Sequence, residues 1–261
     1  MRHIGKVLFF GMLSLLTALT VQAAPADRDV IFQTSTLSAL QEGVYDGEIT
    51  LGELKRHGDF GIGTFQGLDG EMIELDRQFY QIKADGKVYR PDDALTTPFA
   101  AVTYFEADHK AKIDREMNLT ELQSYVESLL PTRNIPYAIM IDGIFTYVKT
   151  RSVPKQTKPY PRLVEVTKNQ PTFETRSVAG MIVGYWLPAY LGGVNMAGYH
   201  LHFLSRDRQF GGHLLECRVS AAAIALDDSF GVNLQLPQQS DFYRTDLSKD
   251  NHKELESIEK N

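Results

Sequence analysis

Short β-type runs separated by Asp-Gly turns fill residues 61–90, and they restrict this part of the chain to sheet structure. Asp69-Gly70 and Asp85-Gly86 are hairpin signals, because glycine accepts the positive φ that such turns need. Between these two turns, residues 71–75 alternate polar and apolar side chains, which predicts a half-buried strand. The pattern favours a fold made mainly of hairpins.

Helices are few and short in the sequence pattern. We predict them at residues 36–41, 51–57 and 118–130, where Thr50 with Glu53 and Asn118 with Glu121 form capping boxes. Two strands are predicted at residues 137–141 and 144–150 around Asp142-Gly143. Further strands are predicted at residues 173–186, 199–204 and 213–225.

A loop with four prolines, at residues 154–171, is the predicted domain boundary. The pattern predicts an α/β fold of the α+β type: two domains on mixed or antiparallel β-sheets with a few short helices. The expected units are an N-terminal α/β domain at residues 24–153 and a C-terminal β-rich domain at residues 154–261. Residues 247–261 are highly charged and weakly periodic, which by composition predicts a frayed end or a solvated helix.

The first 23 residues have the pattern of a secretory signal peptide. Arg2 and Lys6 precede an uncharged, largely apolar run at residues 7–21, and small residues follow at the expected cleavage site. The run is short against the ~20 residues that span a bilayer. We therefore expect a secreted or extracytoplasmic mature chain with no membrane segment.

Charge and cysteine content exclude several classes of protein. The net charge of −6 provides no basic excess for phosphates, so no nucleic-acid partner is expected. The single cysteine, Cys217, excludes an internal disulfide framework and a multi-cysteine metal site.

Three histidines carry the strongest chemical signal. His200 and His202 are two apart on a predicted strand and therefore share one face. Folding the hairpin about Arg206 and Asp207 places His213 opposite His200 on that face. Three imidazoles on a rigid sheet, with positions left open, are typical of catalytic Zn²⁺, although imidazole also suits iron, nickel and copper.

Other candidates are weaker when judged alone. Glu71 follows a hairpin turn, where a side chain can point into a cleft, but a solvated strand carboxylate is the commoner case. Arg151 ends a strand beside the proline-rich loop, and its planar guanidinium could bind a substrate carboxylate, although most arginines lie on the surface. Cys217 has the same strand parity as His213, but a free cysteine is usually a small buried apolar residue.

Several sequence blocks resemble the α-acetolactate decarboxylase family. They are GDFGIGTF at residues 58–65, LDGEM at 68–72, TPFA at 97–100, GYHLHF at 198–203 and GGH at 211–213. The resemblance runs from about Leu37 to the C-terminus, and the histidine block is its most specific part.

This resemblance implies an activity and a set of site residues. The family decarboxylates 2-acetolactate to acetoin with one divalent metal, usually Zn²⁺, in a two-domain α/β architecture. By position, His200, His202 and His213 resemble its metal ligands. Glu71 and Arg151 resemble its acid/base and anion-binding groups, and Glu259 resembles a tail carboxylate that folds back into the site.

The implied chemistry fits these residue types. A Lewis-acidic metal stabilises the enediolate that remains when CO₂ leaves, so no organic cofactor is required. A stereospecific protonation by Glu71, Arg151 or Glu259 then gives one enantiomer of acetoin. The only partner expected is the small-molecule substrate, and a homodimer is a possible assembly.

Two alternatives stay open at this point. A cupin-like metal-dependent oxygenase also uses a His-x-His pair, but it requires a glutamate shortly afterwards, and residues 203–208 offer only Asp207. A secreted binding domain with a structural metal would need a fourth protein ligand, and none is obvious near the three histidines.

Overall fold

We describe the protein from a computed structural model of the chain. The structure describes Met1, residues 28–248 and Glu254, except for the side chain of Ser240. The signal segment predicted at residues 1–23, apart from Met1, and the predicted site residue Glu259 lie outside the described residues.

The described residues form mixed sheets with a few short helices, as the sequence predicts. The strands are β1 (Val30–Thr34), β2 (Ile49–Thr50), β3 (Phe60–Thr64), β4 (Glu71–Leu75), β5 (Gln78–Ile82), β6 (Val88–Tyr89), β7 (Thr96–Thr97), β8 (Ala100–Thr103), β9 (His109–Ile113), β10 (Met117–Asn118), β11 (Tyr137–Arg151), β12 (Thr172–Leu187), β13 (Gly198–Ser205), β14 (Gly211–Asp228) and β15 (Gly231–Gln235). The helices are α1 (Leu37–Gln41), α2 (Leu51–Leu54), α3 (Leu119–Leu129), α4 (Leu163–Thr167) and α5 (Ser240–Arg244), with a 3₁₀ turn at Ala189–Leu191.

The first sheet has seven strands in the order β15-β1-β8-β3-β4-β5-β6. Every pairing in it is antiparallel except that of β1 with β15. The turns on either side of β4 and β5 are those predicted from Asp-Gly, with Gly70 at φ +87° and Gly86 at φ +76°. Strand β4 lies in the interior of this sheet, because β3 and β5 pair with it on either side.

The second sheet is built around the long strand β11, which pairs with both β12 and β14. Strand β13 pairs with β12 and, near the hairpin, with β14. The four strands β11, β12, β13 and β14 thus close on themselves, and β9 and β10 extend the sheet along β14. This closure fixes the positions of side chains that project from β13 and β14.

The two sheets pack face to face over a shared apolar core. Strands β3, β4 and β5 contribute Ile62, Ile73 and Ile82, all buried, and β12 contributes Val183 and Tyr185 from the other sheet. Burial of such side chains stabilises the folded chain by about 1.5–3 kcal/mol each. This packing of the two sheets brings β4 into contact with β13 and β14, the strands that carry the histidines.

Strand β4 differs from its prediction in burial. All five of its residues are buried, including Glu71 and Glu74, whereas the alternating pattern predicted one solvated face. The sequence could not show that both faces are covered, one by the second sheet and the other by the core around Leu51 and Leu54 of α2.

Strand β11 is one continuous strand, and the prediction of two strands around Asp142-Gly143 is wrong. Gly143 lies opposite Gly180 of β12 and Ala222 of β14. A β-carbon at Gly143 would lie 2.4 Å from the Ala221 carbonyl oxygen, so glycine here permits close strand approach instead of a turn.

The division between the sheets does not follow the domain boundary predicted at residue 154. Strands β9, β10 and β11 precede that residue but pair with β14, and β15 follows it but pairs with β1. Each sheet therefore contains strands from both sides of residue 154. The division into two independent domains stays a prediction.

The three predicted helices match closely or are shorter than predicted, whereas α4 and α5 were not predicted. Helix α3 has the predicted capping box, with Asn118 Oδ1 accepting from the Glu121 amide and Glu121 Oε2 accepting from the Asn118 amide. Helix α2 ends at Leu54, three residues before the predicted end. In the described part of the chain, no helix is long and apolar enough to cross a membrane.

Candidate metal centre and its cavity

Three buried histidines converge at the junction of β13 and β14. The ring centroids of His200, His202 and His213 lie 5.3, 5.5 and 5.4 Å apart, which makes a nearly equilateral triangle. One ring nitrogen from each lies within 4.8 Å of the others. Imidazole nitrogens at this spacing can hold a single divalent ion and leave further positions open.

The hairpin that brings the histidines together has a different register from the predicted one. His202, not His200, lies directly opposite His213. The loop is longer than a tight turn about Arg206 and Asp207. Ser205 stabilises this longer loop, because its Oγ accepts hydrogen bonds from the Gln209 and Phe210 amides. The register differs by an even number of residues, so all three imidazoles still share one face.

The orientation of His202 is set by the neighbouring sheet. Its Nδ1 lies 2.9 Å from the carbonyl oxygen of Met72 in β4. A carbonyl only accepts, so Nδ1 carries the proton and the Nε2 lone pair is left for a ligand role. A backbone carbonyl that orients a histidine in this way is typical of the surroundings of metal sites.

Glu71 lies within reach of the histidines. Its Oε2 is 3.5 Å from His202 Nε2, and its side chain is only 12% exposed. The more common case considered for this residue, a solvated strand carboxylate, is therefore wrong. Glu71 is buried because β4 is an interior strand of the first sheet and packs against the second sheet.

Arg151 enters the same site from the end of β11. It is 4% exposed and lies opposite His213 of β14. Gly212 permits this contact, since at φ +134° a β-carbon there would lie 2.5 Å from the Arg151 carbonyl oxygen. The surface position considered for Arg151 is therefore also wrong.

A cavity joins these groups, and its unfilled space, together with the open solvent at its mouth, is about 480 Å³. Glu71, Arg151, His200 and His213 form its polar end. Its remaining walls are mostly apolar and come from separate elements: Leu37, Leu40, Gly63, Thr64, Leu68, Phe99, Val153, Leu163 and Thr167. A small ligand in this cavity would meet polar groups at one end and hydrocarbon at the other.

The apolar wall contains the residues that sequence reasoning missed. Leu37 and Leu40 come from α1, and Leu163 comes from α4. Buried leucines on short helices carry no local signal that distinguishes a cavity lining from a core. The TPFA block did mark Phe99, but without indicating that its ring lines a cavity.

Two other predicted positions have different outcomes. Cys217 packs in the apolar core with Val148 and Val219 and is not part of the histidine group. Burial raises the pKa of its thiol to about 12, which keeps it protonated. Glu259 lies outside the described residues, so its role stays a prediction.

The fold and the site together define a protein of two packed sheets with a candidate metal centre at one end of a cavity. The sequence profile described as Alpha-acetolactate decarboxylase matches residues 31–249. Curated relatives with that name include one from Methanosarcina mazei, 47% identical over 89% of this chain and 81% of its own length. Another, from Bacillus subtilis strain 168, is 41% identical over 88% of this chain and 90% of its own length.

Solved structures agree with the sequence relatives. The crystal structure of alpha-acetolactate decarboxylase from Bacillus subtilis strain 168 matches with a TM-score of 0.87 and 40% identity, covering 89% of this chain and all of that one. The chain belongs to the alpha-acetolactate decarboxylase family, and it is accordingly a carboxy-lyase.

Proposed function

We propose that this chain converts 2-acetolactate to acetoin and CO₂ with one divalent ion, Zn²⁺ by the type of its ligands, held by His200, His202 and His213. The observation that carries the proposal is the bond from His202 Nδ1 to the Met72 carbonyl, which leaves Nε2 for a ligand role within the histidine triangle. Three imidazoles converging from one sheet match the protein ligands of one class of catalytic zinc site.

An ion held by His200, His202 and His213 would supply Lewis acidity for the negative charge that develops on the substrate as CO₂ leaves. The reaction breaks the bond between the substrate carboxylate and its carbinol carbon, and the electron pair stays on the substrate. One proton must then reach that carbon to give acetoin. The protein groups have to bind the carboxylate, exclude water and deliver this proton to one face.

Arg151 is the group suited to the substrate carboxylate. Its guanidinium is buried at the polar end of the cavity, where a bidentate contact with a carboxylate is strong. As CO₂ leaves, the charge that Arg151 binds disappears, so the contact orients the substrate without holding the product. Arg151 is therefore the expected determinant of substrate binding.

Glu71 is the group suited to proton transfer. Its carboxyl lies 3.5 Å from His202 Nε2 and lines the cavity. A carboxyl fixed on an interior strand of a sheet can present a proton to one face of the substrate only. Glu259 is the second proposed carboxylate, which closes over the site from the C-terminal tail. The apolar wall keeps solvent from protonating the opposite face.

The activity is tested by CO₂ release and acetoin formation from racemic 2-acetolactate, before and after dialysis against chelator. We expect chelation to abolish both products and one added equivalent of Zn²⁺ to restore them. Chelator-resistant activity at zero metal content would contradict the metal-dependent mechanism.

The proton donors are tested by Glu71→Gln and Glu259→Gln, with Glu116→Gln as a control at an exposed carboxylate. We expect the first two variants to lower kcat or the enantiomeric purity of acetoin while metal content holds. Truncation after Ile258 should reproduce the effect of Glu259→Gln. Unchanged rate and stereochemistry in the tail variants would exclude Glu259 from the reaction.

We also propose that the chain is exported and works outside the cytoplasmic membrane, on the basis of the pattern in residues 1–23. A mature chain beginning at Ala24 is the expected product.

A further inference from the structure

The side chain of Arg162 joins three separate parts of the chain at one point. Its Nε and Nη2 donate to the Glu42 carboxylate at 3.1 and 2.6 Å. Its Nη1 and Nη2 donate to the Glu254 carboxylate at 3.2 and 2.9 Å. A single guanidinium therefore binds two carboxylates with two contacts each, which a lysine ammonium cannot reproduce.

The three residues belong to elements beside the cavity. Glu42 is the C-cap residue of α1, two positions after the cavity residue Leu40. Arg162 is the N-cap residue of α4, immediately before the cavity residue Leu163. The Arg162 cluster, meaning Arg162 with Glu42 and Glu254, thus lies next to the apolar wall of the cavity.

Glu254 is the member that comes from the C-terminal tail. It is the one described residue beyond Ser248, and its side chain is 26% exposed. Glu259 comes five positions after it in the sequence, so an extended chain places the two residues at most about 18 Å apart. A contact at Glu254 would therefore limit how far Glu259 can lie from the cavity.

We propose that Arg162 is a positioning residue that fixes the C-terminal tail next to the apolar wall of the cavity. Arg162 is not among the described residues that line the cavity. It acts through Glu254, and Glu42 fixes the guanidinium by its own two contacts. Its effect on the reaction rests on the proposed role of Glu259, whereas its effect on the tail does not.

Tail anchoring is measured without reference to activity by digestion of the metal-loaded full chain with carboxypeptidase, followed by intact mass. We expect Arg162→Met and Glu254→Gln each to speed removal of C-terminal residues about three- to fivefold, since the pair is partly exposed. The double variant should be no faster than either single variant, because both remove the same contact.

The matched control is Lys168→Met, which removes a positive charge from the C-cap of the same helix, where it pairs with Glu165. We expect wild-type digestion in that variant. Glu254→Gln keeps the Arg162 contact with Glu42, so it tests the tail even if Arg162→Met fails to fold. Unchanged digestion in both Glu254→Gln and a folded Arg162→Met would overturn the proposal.

Turnover separates this inference from the proposed function. If the tail delivers a proton, faster digestion is accompanied by a lower kcat, a nearly constant KM and full metal content. Faster digestion with unchanged kcat and stereochemistry supports the anchor and contradicts the role of Glu259. Loss of activity in Glu259→Gln with unchanged digestion in Arg162→Met supports Glu259 and overturns the anchor.

Discussion

Arg151 and His213 lie directly opposite each other on the neighbouring strands β11 and β14. The pairing brings a guanidinium that can bind a carboxylate beside an imidazole that can bind a metal. The two residues are far apart in the sequence, and the sheet register alone makes them neighbours. Changes that disturb this register should therefore affect substrate binding and metal binding together.

The first prediction concerns the histidine triangle. We expect His213→Asn to reduce bound metal from about one ion per chain to a small fraction and to abolish decarboxylation, because two imidazoles hold the ion more weakly. Elemental analysis of the purified protein measures this. The control is His109→Gln, which removes a histidine that pairs with Asp228 outside the site. Full metal content in His213→Asn would contradict the assignment.

The second prediction concerns the backbone at Gly212. A β-carbon there would lie 2.5 Å from the Arg151 carbonyl oxygen, at a φ of +134°. We expect Gly212→Ala to lower the free energy of unfolding by about 1–3 kcal/mol and to reduce turnover, because Arg151 and His213 must separate. Urea unfolding and steady-state kinetics measure the two effects.

A matched variant separates contact from backbone strain. Gly198 also has a positive φ, +85°, but a β-carbon there meets no described atom within 4 Å. We expect Gly198→Ala to cost only the strain of the conformation, about 1–2 kcal/mol, with the geometry of β11 intact. Equal losses of turnover in the two variants would contradict the close contact at Arg151.

The third prediction concerns Glu74, on the side of β4 opposite Glu71. Its carboxyl is fully buried, and neither oxygen has a hydrogen-bond partner among the described residues. Burial, with a smaller contribution from Asp59, raises the pKa of Glu74 to about 8. The folded chain therefore binds a proton that the unfolded chain releases near pH 4.5, so stability should fall as pH rises between about 4.5 and 8.

Removal of this carboxyl should flatten the stability profile. We expect Glu74→Gln to lose less free energy of unfolding than the wild type between pH 5 and 8, by an amount on the order of 3 kcal/mol. Part of the slope should persist, because burial also raises the pKa of Asp227 to about 8. The exposed control is Glu48→Gln. Parallel profiles for Glu74→Gln and wild type would contradict the buried neutral carboxyl.

The fourth prediction concerns export. We expect the protein recovered outside the cytoplasmic membrane to begin at Ala24, as measured by N-terminal sequencing and intact mass. Leu15→Arg, which places a charge in the apolar run, should retain the uncleaved chain inside the cell. A mature protein that still carries residues 1–23 would contradict the signal-peptide interpretation.

Local patterns were predictable because their causes are local. The Asp-Gly turns, the capping box of α3 and the strand parity of His200 and His202 depend only on neighbouring residues, and the structure has all three. The Asp142-Gly143 pair was misread for the same reason. A glycine required by a close neighbouring strand looks like a turn glycine until the neighbour, Ala222, is known.

The sequence by itself indicated the chemistry of this chain: three imidazoles on one face of a hairpin, and a family pattern that matches along most of the chain. Only the tertiary structure decided which of these side chains are buried, which face each other and what surrounds them. It buried Glu71 and Arg151, set His202 opposite His213, and built the apolar wall from α1 and α4. Burial and register at these positions depend on strands and helices that are distant in sequence, and no local pattern encodes which of them will meet.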